Sequence, residues 1–181
     1  MSRISIPTLD DAPAASRPIL EAVKGQLGLV PNLFRLVALS PVALAGMTDL
    51  SGALAKALDV KTRERLAIAT AQVNGCDYCL SAHTYLGLNL ARLSAEEIAL
   101  NRNGASSDAK AAAAVRFGAK VAQTRGKITA ADLDAVRHAG FTDAQVIEIV
   151  AVVAENFLTN LINNVADTDI DFPVSLTAKA A

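Results

Sequence analysis

The sequence predicts an all-α fold, a single-domain helical bundle of about eight or nine helices. Three observations carry that expectation. Helix start and stop signals recur along the whole chain. No segment of useful length alternates apolar and polar residues with β-branched enrichment, so no sheet is expected. The composition is 52% hydrophobic and rich in alanine, with 4% aromatic residues and no tryptophan, which suits closely packed helices.

Taken in order, Ser16 with Pro18 opens a helix that Gly28 closes. Ser40-Pro41 supplies an N-cap followed by proline at the first helical position. Asp59 caps a helix carrying Glu64, and Asn74-Gly75 ends it. Gly75 breaks the chain so that Cys76 starts the next helix. Ser94-x-x-Glu97 and Thr142-x-x-Gln145 have the spacing of capping boxes. Thr129 caps a short helix that Gly140 terminates. In the last long helix, Val146, Ile149, Val150, Val153 and Phe157 make an apolar stripe. The run from Asn101 to Ser106 is the clearest internal break, and it is too short for a domain linker. Asp59 to Glu64 has the spacing of Asp143 to Glu148, and the same offset carries Cys76 and Cys79 onto Asn160 and Asn163. That echo suggests a degenerate repeat of a helical hairpin.

A chain of 181 residues is enough for one domain with a substantial core, with irregular arms at about 1–15 and 172–181. A neighbouring subunit is one means of ordering those arms. The net charge is −1, from 17 basic and 18 acidic residues, which argues against a nucleic-acid partner. Mean hydropathy is +0.33, high for a chain without a membrane span. The stretch Ile149 to Ala154 is bounded by Glu148 and Glu155, so no membrane-spanning segment is expected. High hydropathy without a span points to apolar surface buried between subunits. The N-terminal run Met1 to Pro7 lacks the apolar core of a signal peptide, so the expected location is cytoplasmic.

Cys76 and Cys79 are the only cysteines, and they form a Cys-x-x-Cys pair. In a reducing compartment such a pair is more often redox-active or metal-binding than a structural staple. Cysteines three apart in a first helical turn have Cα atoms roughly 5–5.5 Å apart, inside the disulfide window of about 4.4–6.8 Å. The pair therefore opens and closes with little backbone movement. The helix N-terminus also favours a thiolate, the nucleophilic form. His83 lies four residues after Cys79 and seven after Cys76, on the same face, leaning toward the sulfurs. It is placed to hydrogen-bond a thiolate or pass a proton to a leaving oxygen. Glu64 completes the set as a base or proton shuttle, since a fixed carboxylate charge beside a thiol opposes thiolate formation.

Each residue also has an ordinary reading. Both cysteines fit a buried core, and a lone His83 fits a half-buried polar contact. Glu64, in Lys61-Thr62-Arg63-Glu64-Arg65, fits a solvated face with local ion pairs. His138, beside the Gly140 stop, fits a C-terminal capping cation. Asn156 and Asn160 stand out in an apolar helix and fit buried hydrogen bonds at a subunit contact.

The run Arg63-Glu64-Arg65-Leu66, followed by Asn74-Gly75-Cys76-Asp77-Tyr78-Cys79-Leu80-Ser81-Ala82-His83, resembles the core of the AhpD-like alkylhydroperoxidases of the carboxymuconolactone decarboxylase superfamily. Leu29 to Phe34, Ser40-Pro41 and Ala139 to Asp143 resemble its peroxidase-related branch. The resemblance runs from about residue 25 to 165. It implies an all-helical protein assembling as a homotrimer or homohexamer. It implies a peroxidase in antioxidant defence, in which Cys79 attacks a hydroperoxide to give a sulfenic acid and Cys76 resolves it to a disulfide. Glu64 and His83 match the proton-relay positions. No metal and no organic cofactor is implied. The implied partners are an organic hydroperoxide, a thiol or lipoyl-type reductant, and a peroxiredoxin. Tyr78 is a departure, because the best-studied family members carry histidine before the second cysteine, so one local proton donor is missing.

Other functions fit parts of this pattern. A decarboxylase or lactone-processing enzyme on the same fold would have no use for a dithiol. A metal site would draw on Cys76, Cys79, His83 and either Glu64 or His138. A non-catalytic oligomeric binding module would carry inert thiols.

Overall fold

In a computed structural model, residues 1–177 are described, and they form one all-helical domain of nine helices with no strand. The helices are α1 (Arg17–Leu27), α2 (Asn32–Val37), α3 (Pro41–Leu54), α4 (Val60–Val73), α5 (Asp77–Asn89), α6 (Ala95–Arg102), α7 (Ala109–Thr124), α8 (Ala130–His138) and α9 (Asp143–Ala166).

The expected caps form. Ser40, Asp59, Thr129 and Thr142 each accept a backbone N–H from the first turn of the helix they open. Thr142 and Gln145 make a reciprocal box. Ser94 makes only half of one: it accepts from the Glu97 N–H, while the Glu97 carboxylate turns away. Glu97 is buried and instead accepts from Arg65, Asn101, Ser106 and Ser107, fixing the turn between α6 and α7 to α4.

Helix α4 sits at the centre, against α5, α6, α7 and α9. Its Leu66 and Ile68 are fully buried. On one side Leu66 meets Ala114 and Phe117 of α7 and Ile149 and Val153 of α9. On the other, Ile68 meets Leu80 of α5 and Ile98 of α6. Each such side chain contributes about 1.5–3 kcal/mol by leaving water. Gly118 lets α7 approach α4 closely, because a Cβ there would lie 2.5 Å from Leu66 Cδ2. A third cluster, with Leu20, Leu44 and Met47, joins α1, α2 and α3 into a cover that packs against α9 through α3 and Ile162.

Helix α9 departs from the sequence expectation in three ways. By length and composition it would be able to cross a membrane, with mean hydropathy 1.5 over its most apolar window. Glu148 and Glu155 bound a short apolar run but are too few to lower the average along the whole helix. It also runs unbroken through Asn160 and Asn163, so the echo of a helical hairpin has no structural counterpart. Finally, Asn156 and Asn160 are buried within the chain itself. Asn156 donates to the Val152 carbonyl, and Asn160 accepts from Asn74 at the end of α4. Of the proposed stripe, Val146, Ile149 and Val153 are buried, Phe157 is half-buried and Val150 is exposed, while Val152 is the additional core residue. The opposite face exposes Ile147, Leu158, Leu161 and Val165.

No helix forms in residues 1–15. The Arg3 N–H donates to the Ala166 carbonyl, which fastens this arm to the end of α9. The segment after α9 is irregular and lies along α5. Thr177 donates twice to Asp77, and Ser175 and Ser81 exchange two hydrogen bonds. Intrachain contacts therefore hold this arm as far as residue 177, and the remainder, 178–181, lies outside the described residues.

Candidate active site

Gly75, at φ 62°, makes the left-handed turn that ends α4 and starts α5. Cys76 is the N-cap of α5, and its Sγ accepts the Cys79 N–H at 3.2 Å. A thiol here occupies the place where a helix offers its unpaired N–H groups and partial positive charge. The two Cα atoms are 5.3 Å apart and the sulfurs are joined in a disulfide. Cys76 is completely buried, whereas Cys79, though 3% exposed, reaches the wall of a cavity of about 740 Å³. The cavity lies under the α1–α3 cover, with α4, α5 and α9 behind it.

His83 and Glu64 line the same cavity. The His83 Nδ1–H donates to Glu64 Oε2 at 2.9 Å. Glu64 is therefore buried and paired across two helices, not part of a solvated charge run. Its negative charge is taken up by the imidazole, which lessens the penalty it would impose on a thiolate. His83 keeps 23% of its side chain exposed, with Nε2 free of Glu64. Burial would lower its pKa, but the Glu64 charge and hydrogen bond, helped by the charge of Glu155, outweigh burial and raise it above the ordinary histidine value.

One detail differs from expectation. The partner of Cys79 Sγ is Asn163 of α9, whose Nδ2–H donates to it at 3.2 Å. Helix geometry within α5 places His83 on the sulfur side, but the buried carboxylate from α4 holds its Nδ1. Sequence reasoning reached Asn163 only through the echo, without a role. A buried asparagine at helical spacing from Asn156 and Asn160 was the available signal.

Tyr78 is buried, and its hydroxyl is occupied. It donates to Asp171 Oδ1 at 2.8 Å and accepts the Leu33 N–H at 3.1 Å. Asp171 Oδ2 in turn accepts the Asn32 N–H at 2.7 Å. Burial, together with the neighbouring Asp171, pushes the phenol pKa well above its ordinary value. This residue ties the C-terminal segment to α2 and α5, and its ring packs edge-on against Phe172, a cavity-lining residue.

The metal reading loses its geometry. His138 is exposed at the last position of α8, with Nδ1 2.7 Å from the Asp134 carbonyl oxygen, as a helix-terminal residue. Among the described residues no three histidine, cysteine or acidic side chains group to hold an ion.

The sequence profile of the carboxymuconolactone decarboxylase family matches residues 41–124, which include Glu64, Cys76, Cys79 and His83. Among curated proteins no significant match exists. The fold is similar to that of an alkylhydroperoxidase AhpD core, an uncharacterised peroxidase-related protein from Ralstonia eutropha JMP134. That structure is 28% identical, aligns over 94% of this chain and 92% of its own, and gives a TM-score of 0.83. A peroxidase-related protein from Silicibacter sp. TM1040 is 25% identical over 93% of this chain and 91% of its own, with a TM-score of 0.79. The debrominase Bmp8, in a cysteine-to-alanine variant bound to 2,3,4-tribromopyrrole, shares the fold at 17% identity, a TM-score of 0.79 and 94% coverage of both chains. Residues 41–124 are thus similar to the carboxymuconolactone decarboxylase family, and the nine-helix architecture is similar to that of AhpD-core and peroxidase-related proteins.

Proposed function

We propose that the chain is a dithiol peroxidase acting on organic hydroperoxides. The observation that carries this is the asymmetry of the pair: Cys79 faces the cavity that His83 and Glu64 share, and Cys76 lies behind it. In the reduced enzyme the Cys79 thiolate attacks the terminal peroxide oxygen. The O–O bond breaks, Cys79 becomes a sulfenic acid, and the departing alkoxide takes a proton from His83, which Glu64 orients. The Cys76 thiolate then attacks the Cys79 sulfur, hydroxide leaves and is protonated to water, and the disulfide forms. The peroxide has gained two electrons and the dithiol has lost two. An external dithiol, of thiol or lipoyl type, returns them through a mixed disulfide.

The size and lining of the cavity support a bulky apolar substrate over hydrogen peroxide. Phe34, Met47, Tyr85 and Phe172 are among its walls. The exposed apolar face of α9 supports assembly as a homotrimer or homohexamer. The proposed setting is the cytoplasm, in antioxidant defence, with a peroxiredoxin as the downstream acceptor of electrons.

The test is intact mass and free-thiol count of the reduced protein before and after one equivalent of an organic hydroperoxide. Rapid loss of both thiols with loss of two hydrogens is expected. Cys79→Ser should abolish turnover, and Cys76→Ser should leave a trappable sulfenate. Full turnover by either variant overturns the proposal. Activity on a carboxylated lactone that survives loss of both cysteines would replace it with the decarboxylase reading.

A further inference from the structure

Glu155 is the charged residue of the cavity wall that the proposed cycle leaves unused. It lies on α9 between Val152 and Thr159, which line the same cavity about one turn to either side. Its side chain is half-buried, and among the described residues its carboxylate belongs to no ion pair. His83 lines the same cavity with Nδ1 committed to Glu64, so its remaining edge is the one available to the space that Glu155 shares.

We propose that Glu155 is a positioning residue for the proton donor: with Glu64 it gives the His83 imidazole a second carboxylate on the wall of the same cavity. The use of the His83 proton in catalysis rests on the peroxidase reading; the second carboxylate itself does not. The charged and titratable groups around His83 favour it. Helix α4 contributes Glu64 and Arg63, α5 contributes Tyr78, Cys79 and Tyr85, and α9 contributes Glu155. Arg63 is the opposing cation, and its guanidinium is engaged by the Ala55 and Leu58 carbonyls. Cys79 is in the disulfide. The wall is largely apolar, so a carboxylate there is less screened than at an open surface. The Glu155 charge acts on His83 in the same sense as Glu64, against the effect of burial. An imidazolium, not a neutral imidazole, is the form that protonates a departing alkoxide.

The test is an NMR titration of His83 in the oxidised protein carrying His138→Gln, which leaves a single imidazole. Glu155→Gln should lower the His83 midpoint, by less than Glu64→Gln does, and Glu155→Asp should restore most of the shift. Glu96→Gln, which removes an exposed carboxylate on α6, should leave the midpoint unchanged. In turnover with cumene hydroperoxide, Glu155→Gln should move the high-pH fall of kcat to lower pH. An unmoved His83 midpoint in Glu155→Gln, or an equal shift in Glu96→Gln, overturns the proposal. The titration uses neither thiol nor peroxide, so failure of wild-type turnover would refute the peroxidase reading separately.

Discussion

Replacing Tyr78 with phenylalanine separates structure from catalysis at the position just before Cys79. The ring and its packing on Phe172 are retained, so the change deletes one hydroxyl. That hydroxyl donates to the Asp171 carboxylate, and a hydrogen bond to a charged group contributes about 1.5–3 kcal/mol. It also accepts the Leu33 N–H, whose loss of a partner costs about 1 kcal/mol where water reaches it in part. Asp171 keeps its bond from the Asn32 N–H and is not orphaned, which trims the total. A net loss of about 2–3 kcal/mol follows. For a chain of this length that corresponds to a fall in Tm of about 4–12 °C. Urea unfolding and a thermal melt of the oxidised protein read it directly. The same variant should keep the rate of Cys79 oxidation by cumene hydroperoxide within about threefold, because a general acid contributes about 10²–10⁴ and Tyr78 is argued to contribute none of it. A hundredfold slower oxidation with unchanged stability would refute this reasoning and make the phenol the proton donor.

Asn163→Ala removes the donor to Cys79 Sγ, so the thiol pKa should rise and thiolate alkylation at neutral pH should slow by about tenfold, read by iodoacetamide kinetics across pH. Glu97 governs acid stability. Burial alone would raise its pKa, but the Ser106 and Ser107 hydrogen bonds, with Asn101, hold it far below the usual carboxylate range. A folded pKa below the unfolded one gives stability that is complete above the unfolded value, about 4.3, and lost as pH falls toward the folded value. Urea midpoints should therefore drop below about pH 4.5 in wild type and be flatter there in Glu97→Gln, which should itself cost about 3 kcal/mol at pH 7 by leaving Arg65 without its partner. Gly118→Ala gains about 1 kcal/mol of helix propensity but forces the buried Leu66 to move, at about 1–3 kcal/mol, so calorimetry should show a net loss of about 1 kcal/mol.

What the sequence made legible is local. Caps at Ser40, Asp59, Thr129 and Thr142, the break at Gly75 and the Cys76–Cys79 geometry depend on residues within a few positions of one another, where spacing fixes contact. The half-formed box at Ser94 shows the boundary of that logic. Glu97 has the right spacing, but the backbone and side chains near Ser106, together with Arg65, offer more donors than the cap does, and none of them is visible from Ser94-x-x-Glu97 alone. Asn163, Glu155 and Asp171 lie more than 70 residues from the cysteine pair, so only the packing of α9 and the following segment brings them to the site.

The same distinction decides the role of Glu64. Read along the chain, a carboxylate between Arg63 and Arg65 belongs to a solvated surface, and read beside a thiol it works against thiolate formation. Packing of α4 on α5 changes both conclusions, because the first group it meets is the His83 imidazole and not the sulfur. A carboxylate–imidazolium pair presents little net charge to Cys79 while its positive member remains available to the cavity. In the proposed cycle the thiolate draws its stabilisation from the start of α5 and from Asn163, and the leaving oxygen draws its proton from His83. Nucleophile and acid are thus served by different elements, which lets one be weakened by mutation without the other. Asn163→Ala should slow thiolate chemistry with every electrophile, alkylating agents included. Glu64→Gln should spare alkylation and slow peroxide reduction alone, most for peroxides with the most basic alkoxide leaving groups. Equal losses toward iodoacetamide and peroxide in Glu64→Gln would show that the carboxylate acts on the sulfur after all.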